Sequence, residues 1–576
     1  MLYYYKIRKR QRLQARKWFI ISFISVLVWA YFYPGSFADV APELDRRSLP
    51  SFPTNIFPTD RPIEHKKVKV KTPSSSTSPD KSISIEEVRR VESELNRQGK
   101  SKEASELAYS LDLLERIEKD GPIAKTRIKA IKRDLAETVA YFKAGNSASN
   151  RMKILDDKGS NLAYVYYPNY GVHFNPVTTA NLAIDEYKKG NYERFTKIVD
   201  KLLDIAVVKE YPGVGKFYIW ENYYDLEFGT LKFPAPWPSG MAQGLILDIV
   251  GKSYKLTGNR KYLEAGEFII NSFKVPWYEG GVTDTDEHGN WYLEVAATNK
   301  LRILNGFLFT LQSIYNYYEQ TKSPKALALF NAGIKEAKMH IKDYDLGYWS
   351  NYSLISGNLA SYNYHKIHVD LLWKLYTITG IPEFKTYAGR FDFYLKYRFI
   401  NIPPTHPSFK VITTLAEKGI IISKDGWFSS HANISRAEFI GWLARALGWK
   451  PSAVYKGYYP DVDQNCEDWN YIETAFEKGL KFGNGNEGGL FRPQDSISRA
   501  EIASILCTAV RLPGDRPAPQ VADVPNNSQS YNNIELVLAN GLMEPYEPNY
   551  FRPDIKVTKE QAAITLFKLL EAKNSK

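Results

Sequence analysis

The spacing of apolar positions changes several times along the chain, and each change marks a segment. Residues 6 to 17 hold seven Lys or Arg and no acid, and an uncharged apolar run follows from Trp18 to Tyr33. With the small-x-small triplet Ser36-Phe37-Ala38 behind it, this reads as an export signal over residues 1–38. An uncleaved membrane anchor is the alternative, although the run falls short of the ~20 residues that span a bilayer. Residues 39–84 are rich in Pro, Ser, Thr and Lys without apolar periodicity, so they bury too little to offset their conformational entropy and read as a disordered linker. From 85 to 145, Val88, Val91, Leu95, Leu111, Leu114 and Ile117 recur at helical spacing between dense charges, with Gly121-Pro122 as a break. A charged helical hairpin is expected there, either a spacer or packed on the next domain.

Between Asn175 and Tyr397 one pattern repeats four times: an apolar-periodic helix, a short turn and a second helix, with turns near Gly190, Gly258, Ser323 and Gly380. Stacked helix pairs at a period of about 60 residues predict a mainly α fold, an alpha/alpha toroid-like domain over residues 150–400. The segments GKFYIWENYYDLEF and GGVTDTDEHGNWYLE alternate aromatic and polar residues and predict β-hairpins or long loops. Trp237, Tyr292 and Tyr364 all stand where loops run into helices, which a shared cleft requires. After Pro403-Pro404 come three related units, 405–450, 455–513 and 519–573. Each carries a helix-opening motif, from Ile434, Ile497 and Val557, with Ser or Thr three residues before Glu or Gln.

Composition adds little to this division but narrows the partners. A chain of 576 residues exceeds one core. The 40 Tyr outnumber the 36 Gly, which suits sugar stacking and helix packing alike, and a net charge of +12 is compatible with an anionic glycan. No nucleic-acid-binding signature is present. Two cysteines, Cys466 and Cys507, exclude a disulfide scaffold or a Cys-rich zinc site. Whether they pair stays open, as does a homodimer.

The chemistry concentrates between Gly347 and Leu372, where Tyr348, Tyr352, Tyr362, Tyr364, His365 and His368 surround a Gly- and Asn-bearing loop. GYWSNYSL followed by YNYHKIHVDLL resembles the signature of the glucuronyl 5-epimerases, as do WPSGMAQG (Trp237 to Gly244) and ILNGF (Ile303 to Phe307). That family inverts carbon 5 of hexuronic acids inside polysaccharides. The resemblance implies Tyr352, Tyr364 and Glu294 as catalytic residues, and Tyr292, Tyr348, Trp237, Gln243, Asn305, Asn363, His365 and His368 around the substrate. Inversion needs acid/base groups on both faces of the sugar, and phenols serve when cations or hydrogen bonds bring their pKa of about 10 towards neutrality. One position departs from the family's WYEEYP: Val295 stands where a third tyrosine is expected, with Tyr292 or Tyr348 as the nearest replacements. A uronan lyase and a non-catalytic glycan-binding wall protein remain the alternatives.

No cofactor is expected, and a structural calcium ion stays open. His365 and His368 lie three apart on a predicted helix without HExxH or clustered carboxylates, which favours hydrogen bonding over zinc. The acidic run Asp284 to Asn290 departs from EF-hand spacing and reads as a solvated turn. The C-terminal units, with FRPQDSISRAE and FRPDIKVTKEQ preceded by PDVD and ADVP, resemble S-layer homology repeats. That resemblance implies an extracytoplasmic protein held on secondary cell-wall polysaccharide. Arg436, Arg499 and Lys559 are the expected contacts to its anions, arginine offering carboxylates a planar fork.

Overall fold

The computed structural model describes residues 83–355, 357–482 and 489–574. The export-signal segment and the linker as far as residue 82 lie outside them. The described residues divide into two units, one comprising those up to Asp345 with Asn351–Ala388, the other Leu346–Ser350 and Gly389 onwards. The fold is mainly α, with small antiparallel sheets confined to the first unit. Among the described residues no helix is long and apolar enough to cross a membrane.

The first unit begins with three helices where two were expected: α1 (Ile85–Arg97), α2 (Ser101–Ile117) and α3 (Ala124–Lys143). Gly99, in the left-handed region at φ 74°, supplies the additional break. These helices are packed rather than extended as a spacer. They cover a three-stranded meander, β1 (Lys153–Asp157), β2 (Leu162–Tyr167) and β3 (Gly171–Phe174). Thr138 Oγ1 accepts from Val172 N at 2.9 Å, Asp134 Oδ1 accepts from Phe174 N at 3.0 Å, and Tyr166 Oη donates to Glu106 at 2.7 Å. Gly171 is needed at this seam: its φ is 91° and a Cβ would stand 2.9 Å from Thr138 Cγ2.

The four helix pairs form as the periodicity predicts. They are α4 (Pro176–Lys188) with α5 (Tyr192–Asp204), α6 (Gly240–Thr257) with α7 (Lys261–Ser272), α8 (Leu304–Thr321) with α9 (Pro324–His340), and α10 (Tyr362–Thr379) with α11 (Pro382–Tyr397). Their first members lie in a row, α4 against α6, α6 against α8 and α8 against α10, and in the first three pairs the second member packs extensively on its own partner. The row is the more buried layer, α6 having almost no exposed position before Ser253. Between pairs run the hairpins β4 (Val207–Tyr211)–β5 (Gly215–Ile219), β7 (Leu226–Phe228)–β8 (Leu231–Phe233) and β10 (Thr283–Thr285)–β11 (Asn290–Tyr292), with β6 (Glu221–Asn222) paired to β9 (Trp237–Pro238).

In the second unit the three repeats close into a ring. Ile497 N donates to Ile434 O at 3.2 Å, Val557 N to Ile497 O at 3.0 Å and Ile434 N to Val557 O at 2.9 Å. The helices behind these residues, α13 (Arg436–Ala446), α15 (Arg499–Ala509) and α17 (Lys559–Asn574), follow α12 (Phe409–Glu417), α14 (Trp469–Glu477) and α16 (Tyr531–Ala539), and one apolar core runs through all three repeats. The Ser and Thr caps form as read, with a full capping box at Ser498 and Glu501. Asp461 accepts from Phe491 N and Arg492 N, and Asp523 from Phe551 N and Arg552 N. In the first repeat Asn401 takes that place, accepting from Phe428 N at 3.0 Å and donating to Phe428 O at 2.7 Å.

Candidate active site

Glu294 follows β11 in a loop stitched to the start of α6. Leu293 N donates to Val282 O, Gly240 N donates to Leu293 O and Ala296 N donates to Pro238 O, so the backbone around Glu294 is fixed on both sides. The residue is partly exposed, yet its Oε2 is shielded from solvent and has no hydrogen-bond partner. Burial pushes its carboxyl up to about 7. It lies against the first turn of α8, where only glycine fits: a Cβ on Gly306 would collide with Glu294 Oε2 and stand 2.7 Å from Glu294 Cβ.

The same turn of α8 carries the loop that holds Tyr352. Leu304 N donates to Tyr352 O at 3.0 Å, Ile303 pairs with Ser353, and Tyr352 N donates to Asn358 O at 2.7 Å. Tyr364 enters from the first turn of α10, whose Ser361 cap accepts from its N–H. The rings of Tyr352 and Tyr364 are 4.8 Å apart and inclined at 54°, and Phe228 lies parallel to Tyr352 at 6.3 Å. Tyr364 Oη is shielded from solvent and lies beside Tyr352. Burial, then Tyr352 and Glu294, hold this phenol well above its ordinary value. The expectation of a phenol brought towards neutrality is therefore reversed at Tyr364, because low dielectric and acidic neighbours both disfavour phenolate.

Three elements thus bring Glu294, Tyr352 and Tyr364 together, and Asn305 is close in sequence with a buried Oδ1 that lacks a partner. Other expected residues are placed differently. Tyr292 is in the helical core between Phe273 and Phe307, its hydroxyl donating to Leu329 O at 2.7 Å. Gln243 is fully buried and bonded to Trp220 N, Tyr218 O and Ser272 Oγ. His365 and His368 are buried, and burial followed by His365 drives His368 well below the ordinary imidazole value, so it supplies no charge for a substrate carboxylate. Asn363 is exposed. Tyr348 falls in the Leu346–Ser350 segment of the second unit, where burial raises its phenol.

Trp237 leads to residues not anticipated from the sequence. Its indole donates to Tyr224 O at 2.9 Å and its ring meets Tyr224 edge-on, while Tyr224 stacks on Tyr167 at 3.9 Å. Val295 belongs to this same cluster, with Tyr352 packed against it. The Tyr224 phenol is close enough to Glu294 for the carboxylate to contribute to its upward shift, after burial and Tyr167. Tyr224 was legible only as one aromatic in an aromatic-rich hairpin. Nothing in its spacing pointed to Glu294.

In the second unit the expected wall-binding cations join neighbouring repeats. Arg436 donates to Phe491 O and Glu501 of the next repeat. Arg499 is almost wholly buried and donates to Phe551 O and Glu544 O of the third repeat. Lys559 completes the cycle at Glu438 of the first, 2.7 Å away. Cys466 and Cys507 are both free thiols.

Residues 214–392 match the family model described as D-glucuronyl C5-epimerase C-terminus, and residues 458–503 and 522–563 match the S-layer homology domain. The first match spans Tyr224, Trp237, Glu294, Tyr352 and Tyr364. A D-glucuronyl C5-epimerase of Caenorhabditis elegans is 29% identical over 188 residues, 29% of this chain and 30% of that protein. An uncharacterised protein of Methanocaldococcus jannaschii is 31% identical over 169 residues, 28% of this chain and 54% of its own length. An S-layer protein of Bacillus thuringiensis subsp. finitimus is 25% identical over 171 residues, 29% of this chain and 20% of that protein. The chain thus spans about half the length of the Methanocaldococcus relative and under a third of the other two.

Proposed function

We propose that this protein is a cell-surface uronate 5-epimerase, held by its C-terminal repeats on anionic wall polysaccharide and acting on hexuronic acid residues within a polysaccharide. The observation that carries the reading is the meeting of Glu294, poised near 7 with a free buried oxygen, with the Tyr352 and Tyr364 pair inside the span that matches the epimerase model. A general base is most effective when its pKa lies near the working pH. Glu294 meets that condition and Tyr364 does not, so the roles divide. The Glu294 carboxylate removes the proton from carbon 5, and the electron pair moves into the substrate carboxylate as an enolate. A phenol O–H, kept neutral by burial, returns a proton from the opposite face, and solvent then resets both groups. Tyr352 orients or relays to Tyr364, and the first turn of α8 favours the ionised Glu294 through its helix dipole. Proton transfers alone accomplish the inversion, so the reading calls on no cofactor.

The row of first helices α4, α6, α8 and α10 supports an alpha/alpha toroid as the setting, with the site at the loops that enter those helices. The residue at 295 is less of an obstacle than its identity suggests, since Tyr224 brings a phenol to the same cluster. The reading is tested by incubating the protein with uronans of either carbon-5 configuration and following the ratio of the two epimers by NMR. Convergence of both substrates on one ratio supports it. Unsaturated uronate products instead would assign the site to a lyase, and unchanged polymers would leave only glycan binding.

A further inference from the structure

The β10–β11 hairpin and the C-terminal turn of α9 form a cluster that the proposed reaction does not use. Glu336 and His340 are four apart on α9 and share a face, and Asp286 reaches them from the hairpin turn. One ligand-type atom from each of these three residues lies within 4.8 Å of the others. His340 Nε2 is 3.8 Å from Asp286 Oδ2 and 3.6 Å from Glu336 Oε1, separations that two atoms each about 2.1 Å from one cation would adopt. Gly289 presses the hairpin turn onto α9, since a Cβ there would collide with Ala332 O.

Two further observations point to a ligand. Glu336 is wholly buried and its Oε2 has no hydrogen-bond partner, and His340 Nε2 is likewise buried and without one. His340 Nδ1 is 2.8 Å from Asp343 Oδ2, which orients the ring so that Nε2 is turned to Asp286 and Glu336. A carboxylate behind a histidine in this way is the outer-shell arrangement that orients metal-ligating imidazoles. The surroundings are acidic: Asp284, Asp286 and Glu336 pair with the guanidinium of Arg302, and Asp343 pairs with His340.

We propose that Asp286, Glu336 and His340 bind one divalent transition-metal ion, with Asp343 orienting His340. One imidazole nitrogen with two carboxylates suits zinc or manganese better than calcium, which prefers an all-oxygen set. The ion ties the hairpin to α9. Both chain segments of the proposed active centre leave from this point, since β11 runs into Glu294 and Arg302 precedes the Ile303–Leu304 pairing with Tyr352 and Ser353. Its role is that of a brace.

The test uses the full chain without a histidine tag, stripped with EDTA and titrated with zinc chloride and with manganese chloride by calorimetry, together with the melting temperature. One equivalent bound and a melting temperature several degrees higher are expected. His340→Gln, partly exposed and so compatible with folding, should weaken binding at least tenfold and abolish the thermal shift, and Asp343→Asn should weaken it about ten- to a hundredfold. Cobalt substitution provides a second reading, because its visible absorption should change when the imidazole is removed. No binding to the wild-type chain, or equal affinity and an unchanged cobalt spectrum in His340→Gln, would overturn the proposal.

Discussion

At the residue scale, one cause underlies the opposite roles that the proposed reaction gives Glu294 and Tyr364. Burial raises both, which brings a carboxyl from 4.5 to about 7 and takes a phenol further from neutrality. Between about pH 4.5 and 7 the folded chain holds a proton on Glu294 that the unfolded chain has released. Stability therefore falls as pH rises through that window, by about 3 kcal/mol. Glu294→Gln should remove this cost, giving a protein more stable than wild type at pH 8 and equally stable near pH 4, by urea denaturation. The same variant should lose activity by about a hundredfold or more, and wild-type turnover should climb through pH 7 as the base ionises. Tyr352→Phe and Tyr364→Phe should each cost about a hundredfold in turnover with the melting temperature nearly unchanged. The resemblance of the surrounding motifs to the glucuronyl 5-epimerases pointed to all three residues. It could not reveal the direction of the Tyr364 shift, which depends on neighbours arriving from other elements.

At the element scale, the first turn of α8 organises the site. It receives Tyr352 through Leu304 N, faces Glu294 across Gly306 and presents Asn305. Gly306→Ala should displace the Glu294 carboxyl, so turnover should fall by at least tenfold while circular dichroism stays that of wild type. Gly244→Ala, on α6 where it meets Thr310 further along α8, should cost stability without that selective loss of turnover. The helix pairs were legible because four stretches repeat one periodicity. The extra helix α1 was not, since Gly99 was read as part of a continuous charged segment, and the packing of α2 and α3 on the β1–β3 sheet depends on polar contacts such as Asp134 to Phe174 N that no periodicity encodes.

At the scale of the whole molecule, the proposed function assigns one task to each of two units, and the second unit is built as a cycle. Arg499 spans from one repeat to the next through two backbone carbonyls in a buried setting, whereas Lys559 makes a partly exposed ion pair. Arg499→Ala should therefore destabilise the repeats by about 2–3 kcal/mol and Lys559→Ala by less than about 1 kcal/mol, read from thermal unfolding of the C-terminal unit. Any loss of wall binding in Arg499→Ala has to be measured below that variant's melting temperature. The repeats announced themselves through their capping motifs, but the place of Asn401 in the first repeat was hidden, because an amide there does with one acceptor and one donor what aspartate does with two acceptors. The central claim, proton transfer at carbon 5 by Glu294 and a neutral phenol, is tested most directly by incubating a uronan with the wild-type chain in deuterated water. Deuterium should enter carbon 5 in both epimers without any unsaturated product, and Glu294→Gln should abolish its uptake. Full uptake in Glu294→Gln, or none in the wild type on any uronan, would contradict the account.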